Sequence, residues 1–581
     1  MAYIEIITTG VWLMKSILRT LCITGLLFCS PHIFVAQWSS NPAVNNAISM
    51  GTDNKLNPAI ASDDSGGAII TWQDRRGGDY DIYAQRISAS GTIQWTTNGV
   101  PVCTGTGEQT YSAIIGDGNG GAIIAWTDGR NGGEDIYAQR INAAGVPQWT
   151  TNGVGVCTAA YDQFRPGIVS DGNGGAIIAW YNHNGSSDWR IAAQHVGAGG
   201  GSQWITDGIT ISSASYNQTS PNIISDGNGG AIFSWWGSTV PINIYVQRIN
   251  ASGAEQWTPG GVATCAATLI SGQGIPNLVS DDYGGALMAW TYNTSGNWYG
   301  IFAQWITSDG SLSWSSNGVS IFQATHQLST PKLASDDSGG AIIIWTEYRS
   351  SSSYTDVYAQ RILADSTLQW PAGGVRLCTF SGDQLYPNVI GDGNGGAIVA
   401  WNDYRSGRNV YAQKISAGGM PQWNDYTAAA ICTATGDQFF PVLASDNSGG
   451  AIVTWFDARN AYYDIYAQRV FDNGSLTSVD ETDIAGPNHF SLEQNYPNPF
   501  NPGTTIRYTL PARSRVRVEI LNVLGQSIAR PVDGVESAGK KEIEWNAEDR
   551  SSGVYFVRIQ ATSSENNETM YTTTRKMLLI K

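Results

Sequence analysis

Apolar residues along this chain come in short runs of four to seven, and the runs recur. A block such as Ala68-Ile69-Ile70-Thr71-Trp72 is followed by turn residues and then by Asp81-Ile82-Tyr83-Ala84-Gln85-Arg86-Ile87. No window sustains a 3.6-residue period, and Gly, Asn and Asp bound the runs, so the pattern predicts strands and excludes helical solenoids. A composite unit reads Pro-x-Ile-x-Ser-Asp-Gly-Asn-Gly-Gly-Ala-Ile-Ile-Ala-Trp, then Asp-Ile-Tyr-Ala-Gln-Arg-Ile, then Gln-Trp and Asn-Gly-Val-x-Val-Cys. The second glycine of its Gly-Gly pair falls at 67, 121, 175, 230, 285, 340, 396 and 450, a spacing of 54 to 56 residues. Eight units with about four short strands each predict the blades of an eight-bladed β-propeller over residues 37–474.

The ends of the array predict how it closes. The last unit stops at Gly474 without its Gln-Trp segment, and the missing piece sits at the other end, where Gln37-Trp38-Ser39-Ser40-Asn41 matches Gln148-Trp149-Thr150-Thr151-Asn152. Such a permutation lets an N-terminal strand complete the last blade and removes an unpaired sheet edge.

A different texture follows a polar linker at 475–489. Alternating runs at 504–510, 516–521, 541–545, 553–560 and 572–580 predict a small antiparallel, immunoglobulin-like β-sandwich. This segment, 490–581, carries Tyr496-Pro497-Asn498-Pro499-Phe500, Asn522-Val523-Leu524-Gly525-Gln526, Ser552-Gly553-Val554-Tyr555-Phe556 and the terminal Lys576-Met577-Leu578-Leu579-Ile580-Lys581. In these motifs it resembles the type A C-terminal sorting domain of the bacterial type IX secretion system. The resemblance implies an address: a partner in the type IX machinery, cleavage in the linker, and release or attachment at the outer cell surface. The repeats in turn look like the Gly-Gly-Ala-Ile and Asp-Ile-Tyr-Ala-Gln-Arg repeats of large bacterial surface proteins, a likeness that implies a propeller and no activity.

Composition sharpens this picture. With 68 Gly, 22 Trp, 26 Tyr and only 14% charged residues, the chain reads as aromatic-rich strands joined by glycine turns. A net charge of −16 argues against a nucleic-acid partner, which needs a basic stripe. Lys15 and Arg19 precede an apolar run at 21–28 and Ala36 offers a cleavage point, so 1–36 reads as an export signal, and no later segment is apolar enough to span a bilayer. Cys103, Cys157, Cys265, Cys378 and Cys432 share one repeat position that Ser212 and Phe322 also fill. That is a packing site, which predicts buried thiols.

The most frequent residues have structural explanations. The Asp before each glycine turn suits the turn's own amides, and one Asp per loop is thin for calcium, which wants six to eight oxygens. A Gln in every third strand predicts a buried amide bonded between blades. The Trp-x-Asp-x-Arg element of four units (Trp72, Asp74 and Arg76 in the first) predicts an ion pair that holds a loop. Catalysis at a symmetric axis would need two carboxylates in different environments, and no such pair is nominated. No cofactor motif or metal spacing is present either.

Function is therefore expected in the exceptions. Units three to five lose the Asp-x-Arg element and gain Tyr181, His183, Trp189, His195, Trp236, Tyr292, Trp298, Tyr299 and Trp305. Loop aromatics stack on sugars or hold protein partners, which makes Trp189, Trp236, Trp298 and Tyr299 the candidate ligand contacts. The expectation is a binding or adhesion module for polysaccharide or a surface protein. A propeller glycoside hydrolase or lyase, or a structural surface protein without a discrete ligand, are the alternatives.

Overall fold

The computed structural model describes residues 38–477 and 490–581, apart from 184, 186–188, 215, 239–242, 266–271, 294–298, 327, 350–353, 493, 511–513, 537–538 and 564–568. The export signal read over 1–36 lies outside the described residues. The chain divides into two compact units between Thr477 and Ser478.

In the first unit each repeat is one antiparallel sheet. Blade 1 consists of Lys55–Ser62, Ala68–Asp74, Asp81–Ile87 and Val100–Cys103, in that order across the sheet. Blade 5 differs in that its first strand is split into Gly272–Gln273 and Asn277–Ser280. The first strand of each blade contacts that of the next, and Gln438–Ser445 of blade 8 contacts Lys55–Ser62 of blade 1. The eight blades therefore close into a ring, with the first strands lining its axis.

In blades 1, 2, 7 and 8 the second strands are buried along their whole length, as in Ala68–Asp74, because both faces are covered. Ile70 and Trp72 pack towards blade 8 and Ile69 towards blade 2, so continuous apolar runs replace alternation. The five described cysteines are buried in these interfaces, and none forms a disulfide. Burial pushes the thiols of Cys103, Cys157 and Cys432 up to about 12, which favours the neutral thiol.

Blade 8 is completed by Asn46–Ser49, which pairs antiparallel with Asp464–Val470, Ala47 opposite Tyr466. The closing strand is thus the equivalent of Val100–Cys103. The Gln-Trp segments make single bridges such as Ile87 to Ile93, and their tryptophans act through side chains. Each indole Nε1 donates to a carbonyl in the next blade: Trp95 to Ala143, Trp149 to Ala198, and so on to Trp423 and Asp472, all at 2.9–3.0 Å. Trp38 completes the circle by donating to Ala89 of blade 1 at 2.9 Å. The turn that receives each indole is tight: a Cβ on Gly145, at φ +78°, would lie 2.8 Å from the Trp95 ring.

The third-strand glutamines bond within their blades, contrary to the inter-blade bonds expected from sequence. Gln85 Nε2 donates to Thr96 O, and its Oε1 accepts from the amides of Arg86 and Trp95. The reason is the turn between them, which returns the chain beside the third strand. In blade 8 Gln468 makes the same bond to Ser39 O, tying in the N-terminal segment.

The second unit packs Ser491–Leu492, Gly503–Leu510 and Gly539–Asn546 as one sheet and Ser527–Glu536, Ser514–Leu521, Gly553–Ser563 and Thr569–Leu579 as another. Ile506, Tyr508 and Trp545 from the first meet Val518, Val557 and Met577 from the second in one core. This is the expected sandwich, with an additional edge strand at Ser527–Glu536.

Candidate binding site at the channel mouth

The two ends of the ring differ. At the glycine-turn end the eight blades repeat one device. Asp63 Oδ1 accepts from the amides of Ser65 and Gly67, and its Oδ2 accepts from Arg86, which follows the buried Gln. Both oxygens are engaged inside the fold, which suits the turn role read from sequence. Two of the unusual residues of blades 3 and 5 belong to this device: His195 Nε2 and Trp305 Nε1 bond Asp171 and Asp281 where other blades use Arg or Lys. Burial alone would raise the Asp171 carboxyl, but hydrogen bonds from His195, Asn173 and Gly175 bring it below its ordinary range.

The opposite end carries the starts of the first strands and the loops joining second to third strands. In blades 1, 2, 7 and 8 the Trp-x-Asp-x-Arg element is here. Trp126 Nε1 donates to Asp128, Arg130 pairs with Asp128, and Arg130 Nη2 holds the loop through Asn152 O at 2.8 Å. Blades 3 to 6 lack this bond, and in blades 3, 5 and 6 the buried indole N–H groups of Trp180, Trp290 and Trp345 have no partner among the described residues.

At this end the first strands carry a bulge that no motif announced. Register slips between Leu56 and Ala59 in blade 1 and at the same place in blades 2, 3, 4, 7 and 8. The bulged residue is left-handed in each: Asn57, Tyr111, Arg165, Ser220, Tyr386 and Phe440, with φ between 48° and 56°. Asn accepts this conformation readily, whereas Tyr and Phe are strained there by about 1–3 kcal/mol. Their rings gain little burial in return, since Tyr111, Tyr386 and Phe440 are 43%, 48% and 42% exposed.

Tyr386, Phe440, Asn57, Tyr111 and Arg165 occupy consecutive blades around the axis. Tyr386 meets Phe440 edge-on at 4.7 Å, and the Arg165 guanidinium lies 4.9 Å from the centre of the Tyr111 ring. Arg408 sits among four rings, 4.2 Å from Phe439 and 5.6 Å from both Tyr386 and Phe440. Below the mouth lies a cavity of about 350 Å³, lined by first-strand residues including Pro58, Ala59, Ser112, Asn388 and Val442.

A strained position predicts an asymmetric response to substitution. Tyr111→Asn, which copies blade 1, is expected to leave the denaturant midpoint unchanged within about 1 kcal/mol. Tyr111→Val should lower stability by ~1 kcal/mol or more, because a β-branched residue fits this backbone worst. Equal losses in equilibrium unfolding would show that the bulge stores no strain.

The candidates read from sequence fall on the same end of the ring. Trp189 begins the third strand of blade 3, half-buried, 5.2 Å from Phe164 and 4.6 Å from His183. Trp236 and Tyr299 are half-buried against the cores of blades 4–5 and 5–6. Trp298 lies outside the described residues. The aromatic cluster of blade 3 comes together, while Trp236 and Tyr299 stand in separate blades. Tyr111, Tyr386 and Phe440 were missed. Their signal is the bulge position itself, which varies as Asn, Tyr, Arg, Ser, Ile, Thr, Tyr and Phe from unit to unit in a segment that otherwise repeats.

In the second unit the Tyr496–Phe500 segment knits to the last strand. Both prolyl bonds, Tyr496–Pro497 and Asn498–Pro499, are cis. Phe500 N donates to Leu578 O, Asn498 Oδ1 accepts from Leu578 N and Asn498 Nδ2 donates to Lys576 O. Phe500 is buried against Trp545, which also meets Tyr555. Gly525 takes φ +75° in a turn whose amides are received by Asn522. Residues 494–572 match the family described as the secretion system C-terminal sorting domain. The second unit is a type IX sorting domain.

The sorting domain directs the protein to secretion or to the outer cell surface, and implies contact with the type IX machinery. No curated protein matches the chain. Among solved structures, a PL25 ulvan lyase bound to a glucuronate–sulfated rhamnose saccharide is 10% identical, with a TM-score of 0.40 over 77% of this chain and 98% of that one. A protein of unknown function from Dyadobacter fermentans is 10% identical (TM-score 0.31, 58% and 96% covered), and an endo-arabinase from Bacteroides thetaiotaomicron is 13% identical (TM-score 0.26, 44% and 94% covered). The sorting domain is joined to a propeller-like ring that shares no more than general architecture with these neighbours.

Proposed function

We propose that the protein is a secreted or surface-held binding propeller that takes polysaccharide at the channel mouth. The observation that carries this reading is the repeated placement of Tyr111, Tyr386 and Phe440 in a strained bulge, each more than two-fifths exposed. The contacts these rings make within the fold still leave more than two-fifths of each in water, where a ligand would offset the strain further. Aromatic faces stack on the apolar faces of sugars, and three of them around one axis present a shared platform. Trp189 and the neighbouring rings of blade 3 extend it outwards, with Trp236 and Tyr299 as further contacts for a longer chain.

The test is a glycan array probed with the purified full chain, beside a Tyr386→Ala/Phe440→Ala variant and a Trp189→Ala variant. The parent should bind a restricted set of glycans and the double variant should bind them at least ten-fold more weakly. A parent that binds nothing, or a double variant that binds as the parent does, would reject the reading; loss in the Trp189 variant alone would move the site to blade 3.

A further inference from the structure

Two residues beyond the mouth position, each first strand places one residue at the same level of the channel. The register fixes this level, because each such residue lies opposite the one that precedes the buried tryptophan of the second strand: Ala59 opposite Thr71, Asn388 opposite Ala400 and Lys332 opposite Ile344. Blades 8, 1, 2 and 3 supply Val442, Ala59, Ala113 and Gly167. Blades 4 to 7 supply Asn222, Asn277, Lys332 and Asn388. One half of the channel is therefore apolar, and the cavity below the mouth lies against it. The other half is polar and carries a cation.

The polar half is held in place. Asn222 Nδ2 donates to Asn277 Oδ1 at 3.1 Å, Asn277 Nδ2 to Pro331 O at 2.9 Å, and Asn388 Nδ2 to Pro441 O at 2.8 Å, each bond reaching the next blade. A side-chain amide nitrogen has two hydrogens, so these bonds orient the amides and leave donor capacity. Lys332 has neither an ion pair nor a side-chain hydrogen bond among the described residues, although its side chain is exposed to solvent. None of the eight first strands contains Asp or Glu, in a protein of net charge −16. Although the residue is open to the channel, the protein that surrounds it desolvates the Lys332 ammonium and draws it below the ordinary lysine range.

We infer that the axial channel is an anion site, in which Lys332, flanked by Asn277 and Asn388, receives the carboxylate or sulfate of an acidic sugar whose ring faces the apolar half. The cavity of about 350 Å³, which touches the polar half at Asn388 and would take the sugar ring, falls at the lower end of ligand-pocket volumes (~300–1,000 Å³). The mouth aromatics stand two residues away along the strand, about 7 Å at the usual strand rise. A saccharide stacked at the mouth can thus present its terminal acidic group to the channel. The choice of a saccharide rests on the function proposed above; the anion site itself does not.

The experiment is isothermal titration of the full chain with glucuronate, inorganic sulfate, an acidic uronate tetrasaccharide and its carboxyl-reduced neutral counterpart. The parent should bind the acidic tetrasaccharide at least ten-fold more tightly than the neutral one, and should bind glucuronate or sulfate detectably. Lys332→Met should erase both effects and Lys332→Arg should restore them, with Lys332→Gln used if the Met variant does not fold. Equal affinity for the two tetrasaccharides, no heat with either small anion, or an unchanged preference in Lys332→Met would overturn the inference. Tyr386→Ala/Phe440→Ala should weaken both tetrasaccharides without changing their ratio. If that pair has no effect while glucuronate and sulfate still bind through Lys332, the channel stands and the mouth platform falls.

Discussion

Removal of residues 490–581 is expected to abolish surface delivery and leave the protein in the periplasm. The sorting domain is a unit of its own, with a core in which Phe500, Tyr508, Trp545 and Met577 are buried. Its motifs are built into that core: Phe500 exchanges backbone bonds with Leu578 and Ile580, so the Tyr-Pro-Asn-Pro-Phe segment and the last strand form one surface. Phe500→Ala should therefore act like the deletion. A large-to-small change at a buried aromatic costs about 3–5 kcal/mol, comparable with the whole stability of a small domain. Cell fractionation and surface labelling read both variants, and normal delivery of the deletion would refute the sorting assignment.

The second large effect concerns closure of the ring. Trp38→Ala should destabilise the propeller by about 3–5 kcal/mol in denaturant unfolding. Trp38 is only 2% exposed, packs with Ile48, Ile87, Ile452 and Ile465, and donates to Ala89 across the junction between blades 8 and 1. Half-buried Trp204 makes the same indole bond inside the covalent run of the chain, so Trp204→Ala should cost less. The variant at Trp38 should also aggregate, because loosening Asn46–Ser49 uncovers the edge of Asp464–Val470. Equal losses at Trp38 and Trp204 would mean that the N-terminal segment has no special part in closure.

The sequence made the ring legible because every unit restates the same turn, and because Gln37-Trp38 stood at the wrong end of the array. It concealed which segment makes the ladder. Asn46-Ala47-Ile48-Ser49 hardly resembles Val100-Pro101-Val102-Cys103, whereas the conspicuous tryptophans act by packing and hydrogen bonding. The direction of Gln85 was likewise hidden, since periodicity reports burial and says nothing of which carbonyl a buried amide will meet. Ser527–Glu536 is hidden in the sequence because Pro531 and Gly534 read as strand breakers. At a sheet edge both are tolerated, as one side of the strand needs no partner.

The candidate site was harder to read for a related reason. The aromatics that interrupt the repeat are the conspicuous ones, and two of these, His195 and Trp305, replace an arginine in its ordinary bond. Tyr111, Tyr386 and Phe440 interrupt nothing: they occupy a regular position whose backbone, rather than whose neighbours in sequence, makes them unusual. Lys332 is similar, one variant among eight at a position that becomes special only when the strands converge.

The permuted eighth blade also gives the ring a mechanical character. A pull on the chain from the side of Thr477 enters blade 8 first, and the outer strand of that blade is the opposite end of the same unit. Arg459 clasps this strand's approach through Val44 O and Asn45 Oδ1, and Asn45 Nδ2 reaches Ile431 O in blade 7. The ring is thus shut by a non-covalent latch, Asn46–Ser49 with the bonds of Asn45 and Arg459, in place of a covalent link.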